Sequence, residues 1–359
     1  MQNIPEWLFY WQWASGILSI GMNAAAALPA ILALTLLAGR RGNARLCVAG
    51  ARRLTRLALG LGLLGPLLTA ANLVGTILSF GGSGSHISGL ALWDAAVLPY
   101  TTTVLAWIAG LCCLWFVTRM DRSSPLAIGL PTDNPETNPG VRGSKGRSAR
   151  KGRKSPLAAE NEASSNQLDT DAMRSRLFLY LLAVVCFFAA HALPNWSFSG
   201  PPQGLDWGRM ASAVLGTATH DYFTNFAPAG AMALLALSLA RREFSGSSAA
   251  MPGNRAFSAA DLEKAARWAA LWAMIGYVPR CIDRWGLFIG LSFSGQTLPD
   301  WLMPQITGLV PLTLAVACWT ILFTLRSRMQ FLWLNWLALA LLVIRQSLPF
   351  ITALLHSAA

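Results

Sequence analysis

YVPRCIDRWG, residues 277–286, sets two arginines and an aspartate inside a run, 265–290, that is otherwise apolar enough to cross a membrane. The rest of the chain decides how that stretch is read. Its 359 residues are 54% hydrophobic and only 12% charged, with 15 tryptophans. That leaves too little polar surface to cover a soluble protein of this size. Apolar runs of about 18 residues or more, the length a bilayer requires, recur along the sequence. The short alternating segments of a transmembrane barrel are absent. The chain therefore reads as an all-α polytopic membrane protein.

Eight spans are expected, at 9–39, 57–80, 95–118, 177–194, 221–240, 265–290, 303–325 and 330–355. The start, MQNIPEWLFYWQW (1–13), has no basic region of the kind that opens a cleavable signal, so the first run is expected to remain as a helix. Basic residues orient the spans. The segments 40–56, 119–176, 241–267 and 326–328 together hold 24 of the 28 Lys and Arg, whereas the opposite side holds Arg209 alone. By the positive-inside bias the four basic segments face the cytoplasm and both termini face outward. The net charge of +12 is then a consequence of topology and not a nucleic-acid footprint.

The organisation expected is helices 1–3 in residues 1–118 and a disordered, basic cytoplasmic linker at 119–176, where VRGSKGRSARKGRK (141–154) has no apolar periodicity. A fourth helix at 177–194 completes the first bundle. An outer loop follows at 195–220, and a second four-helix bundle occupies 221–359. The halves resemble each other. HALPNW (191–196) in helix 4 corresponds to QSLPFI (346–351) in helix 8, LPYTTT (98–103) to MPQITG (303–308), and ILALTLLAGRR (31–41) to LLALSLARR (234–242). Aligning Arg56 with Arg267 also aligns Gly65 with Gly276 and Asn72 with Asp283. A tandem repeat of two parallel four-helix bundles is the expectation.

Polar residues gather on one side. At ~1.5 Å per residue, Arg280 lies roughly 22 Å from the inner boundary of its span, with Asp283 and Arg284 farther out. Arg345 and Gln346 reach a similar depth in the last helix, His191 closes helix 4, and His220, Asp221 and Tyr222 open helix 5. His86, His356, Asp94 and Asp206 fall on the same side. A charge in hydrocarbon costs about 2.5–3.5 kcal/mol even on lenient scales, so such residues must pair or line a wet cavity. Asp283, three residues after Arg280, is expected to meet it on one helix face. Arg284 and Arg345 then leave an excess of positive charge suited to an anion or a polarised carbonyl. The alternative is that the arginines snorkel to outer headgroups. His191 and His220 admit three readings: a bis-histidine haem b site, a proton relay to a quinone with HDYF (220–223) supplying Asp and Tyr neighbours, or plain solvation.

Much chemistry is absent. There is no phosphate-binding glycine loop, HExxH, nucleophile elbow or metal-binding carboxylate cluster. The six cysteines show no zinc, iron–sulfur or haem-attachment spacing.

FAPAGAMALLALSLARR (226–242), ITGLVPLTL (306–314) and LALALLVIRQ (337–346), set in eight spans with a polar outer site, resemble the NrfD-like membrane anchors of polysulfide and dimethyl-sulfoxide reductases. The resemblance implies a bacterial inner-membrane subunit, itself without a redox centre, that binds quinone or quinol near the outer face. Such a subunit exchanges electrons with an extracytoplasmic iron–sulfur or multihaem cytochrome partner. On this reading His191 or His220 handles the proton. Arg280, Arg284, Arg345, Gln346 and Tyr222 contact the quinone, and Asp283 tunes the arginines. The alternatives are a membrane cytochrome b and a transporter, or a protein acting on lipid-linked substrates, with an outer anion cavity.

Overall fold

The computed structural model describes residues 6–39, 44–82, 93, 97–123, 156–196, 206–246, 259–294 and 306–358. Among these there are ten α-helices and no strand: α1 (Glu6–Gly39), α2 (Ala44–Gly62), α3 (Leu64–Gly82), α4 (Leu98–Ser123), α5 (Pro156–Ala192), α6 (Trp207–Thr224), α7 (Phe226–Gly246), α8 (Ala259–Phe293), α9 (Leu309–Thr324) and α10 (Trp333–Ala358). Helices are what an apolar chain must form in lipid, where each backbone N–H and C=O needs a partner within its own segment.

Among the described residues six helical runs are long and apolar enough to cross a bilayer: Tyr10–Ala38, Ala51–Leu78, Leu98–Met120, Met173–Asn195, Trp207–Leu239 and Trp333–Ile351. The two other expected spans correspond to α8 and α9. The charges of α8 keep it outside the six, and α9 has 16 residues, about 24 Å of helix against a hydrocarbon core of about 30 Å.

Three interruptions share one cause. The helical pattern breaks at Leu63, Asn225 and Gly308, each three residues before a proline, Pro66, Pro228 and Pro311. Proline has no N–H for the carbonyl four residues back, so the ladder opens just there. Two regions differ from the sequence expectation. The segment 195–220, read as an outer loop, is helical from Trp207, where Asp206 caps α6 by accepting from the Arg209 N–H at 2.7 Å. Of the linker read at 119–176, residues 119–123 and 156–176 are helical, while 124–155 lie outside the described residues.

α1 is the hub. Ala24, Ala25, Ala26, Ala27 and Leu28 are fully buried. α1 packs on α2, α3 and α5 in the first half of the chain and on α7 and α10 in the second. Each half closes a ring of contacts: α1 with α2, α2 and α3 with α4, α4 with α5 and α5 with α1; then α7 with α8, α8 with α9, α9 with α10 and α10 with α7. Side-chain bonds tie the rings. Trp319 Nε1 donates to Asn335 Oδ1 (2.9 Å), whose Nδ2 donates to the Ala231 carbonyl (2.9 Å), joining α9, α10 and α7. Tyr180 and Thr55 share a bond of 2.6 Å between α5 and α2. In the turn before α10, Glu263 accepts from the N–H groups of Arg328 (2.8 Å) and Met329 (3.1 Å).

At the α7–α8 contact the backbones nearly touch. A Cβ on Gly230 would lie 2.3 Å from the Ala273 nitrogen, and one on Gly276 would lie 2.3 Å from the Ala227 nitrogen. Small residues permit such approach between helices in lipid.

Candidate functional site

The close approach at Gly276 fixes the residues that follow it. Tyr277 is buried, and its ring stacks on Trp319 of α9 (centroids 6.3 Å apart, planes at 27°). Arg280 comes three residues later, close to one turn of α8, and so shares the Tyr277 face. From α10, Arg345 places its Cζ 5.7 Å from the centre of the same ring, within cation–π range. Both guanidinium groups act electrostatically on the Tyr277 hydroxyl and on each other. Both arginines are half-buried, and among the described residues neither has a carboxylate in ion-pair contact. Asp221, at the α6 end, lies within longer electrostatic reach of Arg280.

Asp283 is not where the sequence placed it. It pairs with Arg284 (Nε to Oδ2 3.8 Å), its side chain is 66% exposed, and it makes no ion pair with Arg280. The reason is rotational. Arg280 turns inward with Tyr277, while Asp283 shares the outward side of α8 with Ile282 and Gly286, both exposed. With Asp283 exposed and 3.8 Å between the charged atoms, its pair with the half-buried Arg284 contributes little to stability. Gln346, next to Arg345, faces α1: a Cβ on Gly16 would come 2.8 Å from its Nε2.

The two histidines separate. His191, at the end of α5, lies 2.8 Å from the Phe187 carbonyl through Nδ1 and 2.8 Å from Asn225 Nδ2 through Nε2. A carbonyl only accepts, so Nδ1 carries the proton and Nε2 accepts from the amide. Trp107 and Tyr222 flank the ring, with centroids at 6.2 and 5.7 Å. Tyr222 is buried, and its hydroxyl donates to the Ala26 carbonyl at 2.9 Å. His220 is exposed, with Nδ1 3.6 Å from Asp221 Oδ1. A haem joining His191 and His220 does not fit this arrangement, because neither nitrogen of His191 is left for iron. His86 and Asp94 lie outside the described residues.

Of the residues expected to gather, the structure brings Arg280 and Arg345 together and holds Asp221 within reach. It turns Asp283 outward, keeps Arg284 half-buried one turn beyond Arg280 and within its electrostatic reach, and commits His191 and Tyr222 to hydrogen bonds within the protein. Sequence reasoning passed over Tyr277 as a site residue, although it opens the quoted stretch. It also passed over Asn225, whose signal is a polar amide three residues before a proline in an apolar run. Chemically, two guanidinium groups and a phenol converge where an oxygen carrying negative or partial negative charge would be stabilised. No protein family, curated protein or solved structure matches this chain.

Proposed function

We propose that the chain is an integral membrane subunit of a respiratory or redox complex whose site at Arg280, Arg345 and Tyr277 holds a carbonyl oxygen of a quinone or quinol head group. In this reading the chain contributes eight spans as two parallel four-helix bundles. Its termini lie outside a bacterial inner membrane, and the site lies near the outer face. An extracytoplasmic iron–sulfur or cytochrome subunit takes or gives the electrons. The observation that supports it is the pair of half-buried guanidinium groups at one tyrosine without a carboxylate in contact. Charge left unneutralised in an apolar bundle is an incentive to bind a complementary oxygen. Proton transfer falls to His220 with Asp221 in preference to His191, whose nitrogens are both bonded.

The test is quinol-dependent electron transfer by the protein purified with its co-purifying partner, compared with Arg280→Gln, Arg345→Gln and Tyr277→Phe. Losing one charge-assisted hydrogen bond, about 1.5–3 kcal/mol, weakens quinone binding roughly 10- to 100-fold. Unaltered turnover and quinone affinity in the Arg280→Gln, Arg345→Gln double variant ends the proposal. The same excess of positive charge also favours a second reading, an outward-facing anion site of a transporter or of a protein acting on lipid-linked substrates. Substrate uptake into proteoliposomes containing this chain alone would select it.

A further inference from the structure

A cavity of about 380 Å³ lies between α1, α3 and α10, and its lining includes none of Tyr277, Arg280 and Arg345. Its polar lining is Gln12, Ser15 and Ser19 of α1 with Thr69 and Asn72 of α3, and Leu68 and Phe350 add apolar wall. Among the described residues the lining holds no charged side chain. The hydroxyl protons are already committed: Ser15 donates to the Gln12 carbonyl (2.9 Å), Ser19 to the Gly16 carbonyl (2.6 Å) and Thr69 to the Gly65 carbonyl (2.8 Å). What the hydroxyls offer the cavity is therefore acceptor lone pairs. Donors come from the side-chain amides of Gln12 and Asn72, which make no hydrogen bond among the described residues. The same helix α3 presents Leu67, Val74 and Leu78 at its exposed surface, so the opening lies beside a lipid-facing side.

We propose that this cavity binds an uncharged amphiphile bearing carbonyl oxygens. Two amide donors set on neighbouring helices match carbonyl acceptors. An uncharged lining gives no reason for an ion to leave water, and the apolar wall takes a chain or ring. The volume suits a head group or an ester region and not a whole lipid. Two sources share that chemistry, the ester carbonyls of a diacyl lipid and the ring carbonyls of a quinone. The proposal is independent of the function assigned to the arginine site, since the two share no residue.

Native mass spectrometry of the full-length purified protein, carrying Arg280→Gln and Arg345→Gln so that the arginine site does not hold the probe, titrated separately with a diacylglycerol and with a short-chain benzoquinone, tests it. The expected result is one retained copy of one of these probes, with the retained probe identifying the source. Retention should fall about tenfold or more in Gln12→Leu with Asn72→Leu, which removes both donors. Both positions are exposed, so leucine leaves the helix packing in place. Ser15→Phe, which fills the space and keeps the amides, should give the same loss. Failure to retain either probe overturns the proposal, as does unchanged retention in the double-leucine variant. A probe retained by the parent protein but not by the Arg280→Gln, Arg345→Gln protein belongs to the arginine site and overturns it equally.

Discussion

Gly276 and Gly286 lie on the same helix, and alanine at the two positions should move stability in opposite directions. At Gly276 the new Cβ would sit 2.3 Å from the Ala227 nitrogen and 2.9 Å from its Cα, against 3.4 Å or more for ordinary contact. No rotamer change relieves a collision with backbone, so α8 must retreat from α7 by about 1 Å in a close-packed interior. Overpacking of this kind costs about 1–3 kcal/mol, and a rigid obstacle belongs at the upper end. Alanine returns up to about 1 kcal/mol of helix propensity, leaving a net loss near 2 kcal/mol. At Gly286 a Cβ meets nothing within 4 Å, so only the propensity gain remains. Thermal unfolding of the purified variants in one detergent, followed by tryptophan fluorescence, reads both. Because Tyr277 and Arg280 follow Gly276 directly, ligand affinity at the arginine site should fall along with melting temperature in Gly276→Ala and stay level in Gly286→Ala. A Gly276→Ala protein as stable as the parent, or a Gly286→Ala protein destabilised to the same degree, would refute the close approach of α7 and α8.

Asn335→Leu should be among the most damaging single changes, since the Trp319 N–H and the Ala231 carbonyl both lose their partner. Each unpaired buried group costs about 1–3 kcal/mol, measurable by the same unfolding assay. Imidazole ¹⁵N NMR should find His191 neutral with its proton on Nδ1, and a proton on Nε2 would contradict the Asn225 contact. The optical spectrum of the purified protein should contain no Soret band from a haem ligated by His191, because neither ring nitrogen is available to iron. Glu263→Ala frees two backbone N–H groups in the turn before α10. Amide exchange should speed up at Arg328 and Met329, while the helices away from this turn keep their protection.

The apolar runs made helices and membrane spans legible, because length and hydropathy alone report them. The meeting of Arg280 with Arg345 was legible as a shared depth along two spans. Azimuth was not. Residues three apart on a helix can meet, yet Asp283 follows the exposed side of α8 and Arg280 follows Tyr277, a choice set by how α8 packs on α7 at Gly276. The bonded state of His191 was hidden for a similar reason. Its partner, Asn225, is 34 positions away and comes within reach only because the helical ladder opens before Pro228. The alignment of Gly65 with Gly276 marked two positions that accept no side chain: a Cβ at Gly65 would meet the Trp107 ring at 2.3 Å. The cavity beside Ser15 and Asn72 left no trace in the sequence, since small polar residues in a span signal helix packing as readily as a void.

The anchoring of α1 bears on how the chain is made. Tyr222 donates to the Ala26 carbonyl across 196 positions, and Trp268 to Thr35 across 233. At about 5–20 residues per second of synthesis, these partners emerge roughly 10–45 s after the first helix. Throughout that interval the alanine-rich side of α1 has only its early neighbours for cover. An insertase or chaperone would have its longest opportunity to engage the nascent protein there, and later steps of assembly would seat the second ring against a helix already in place.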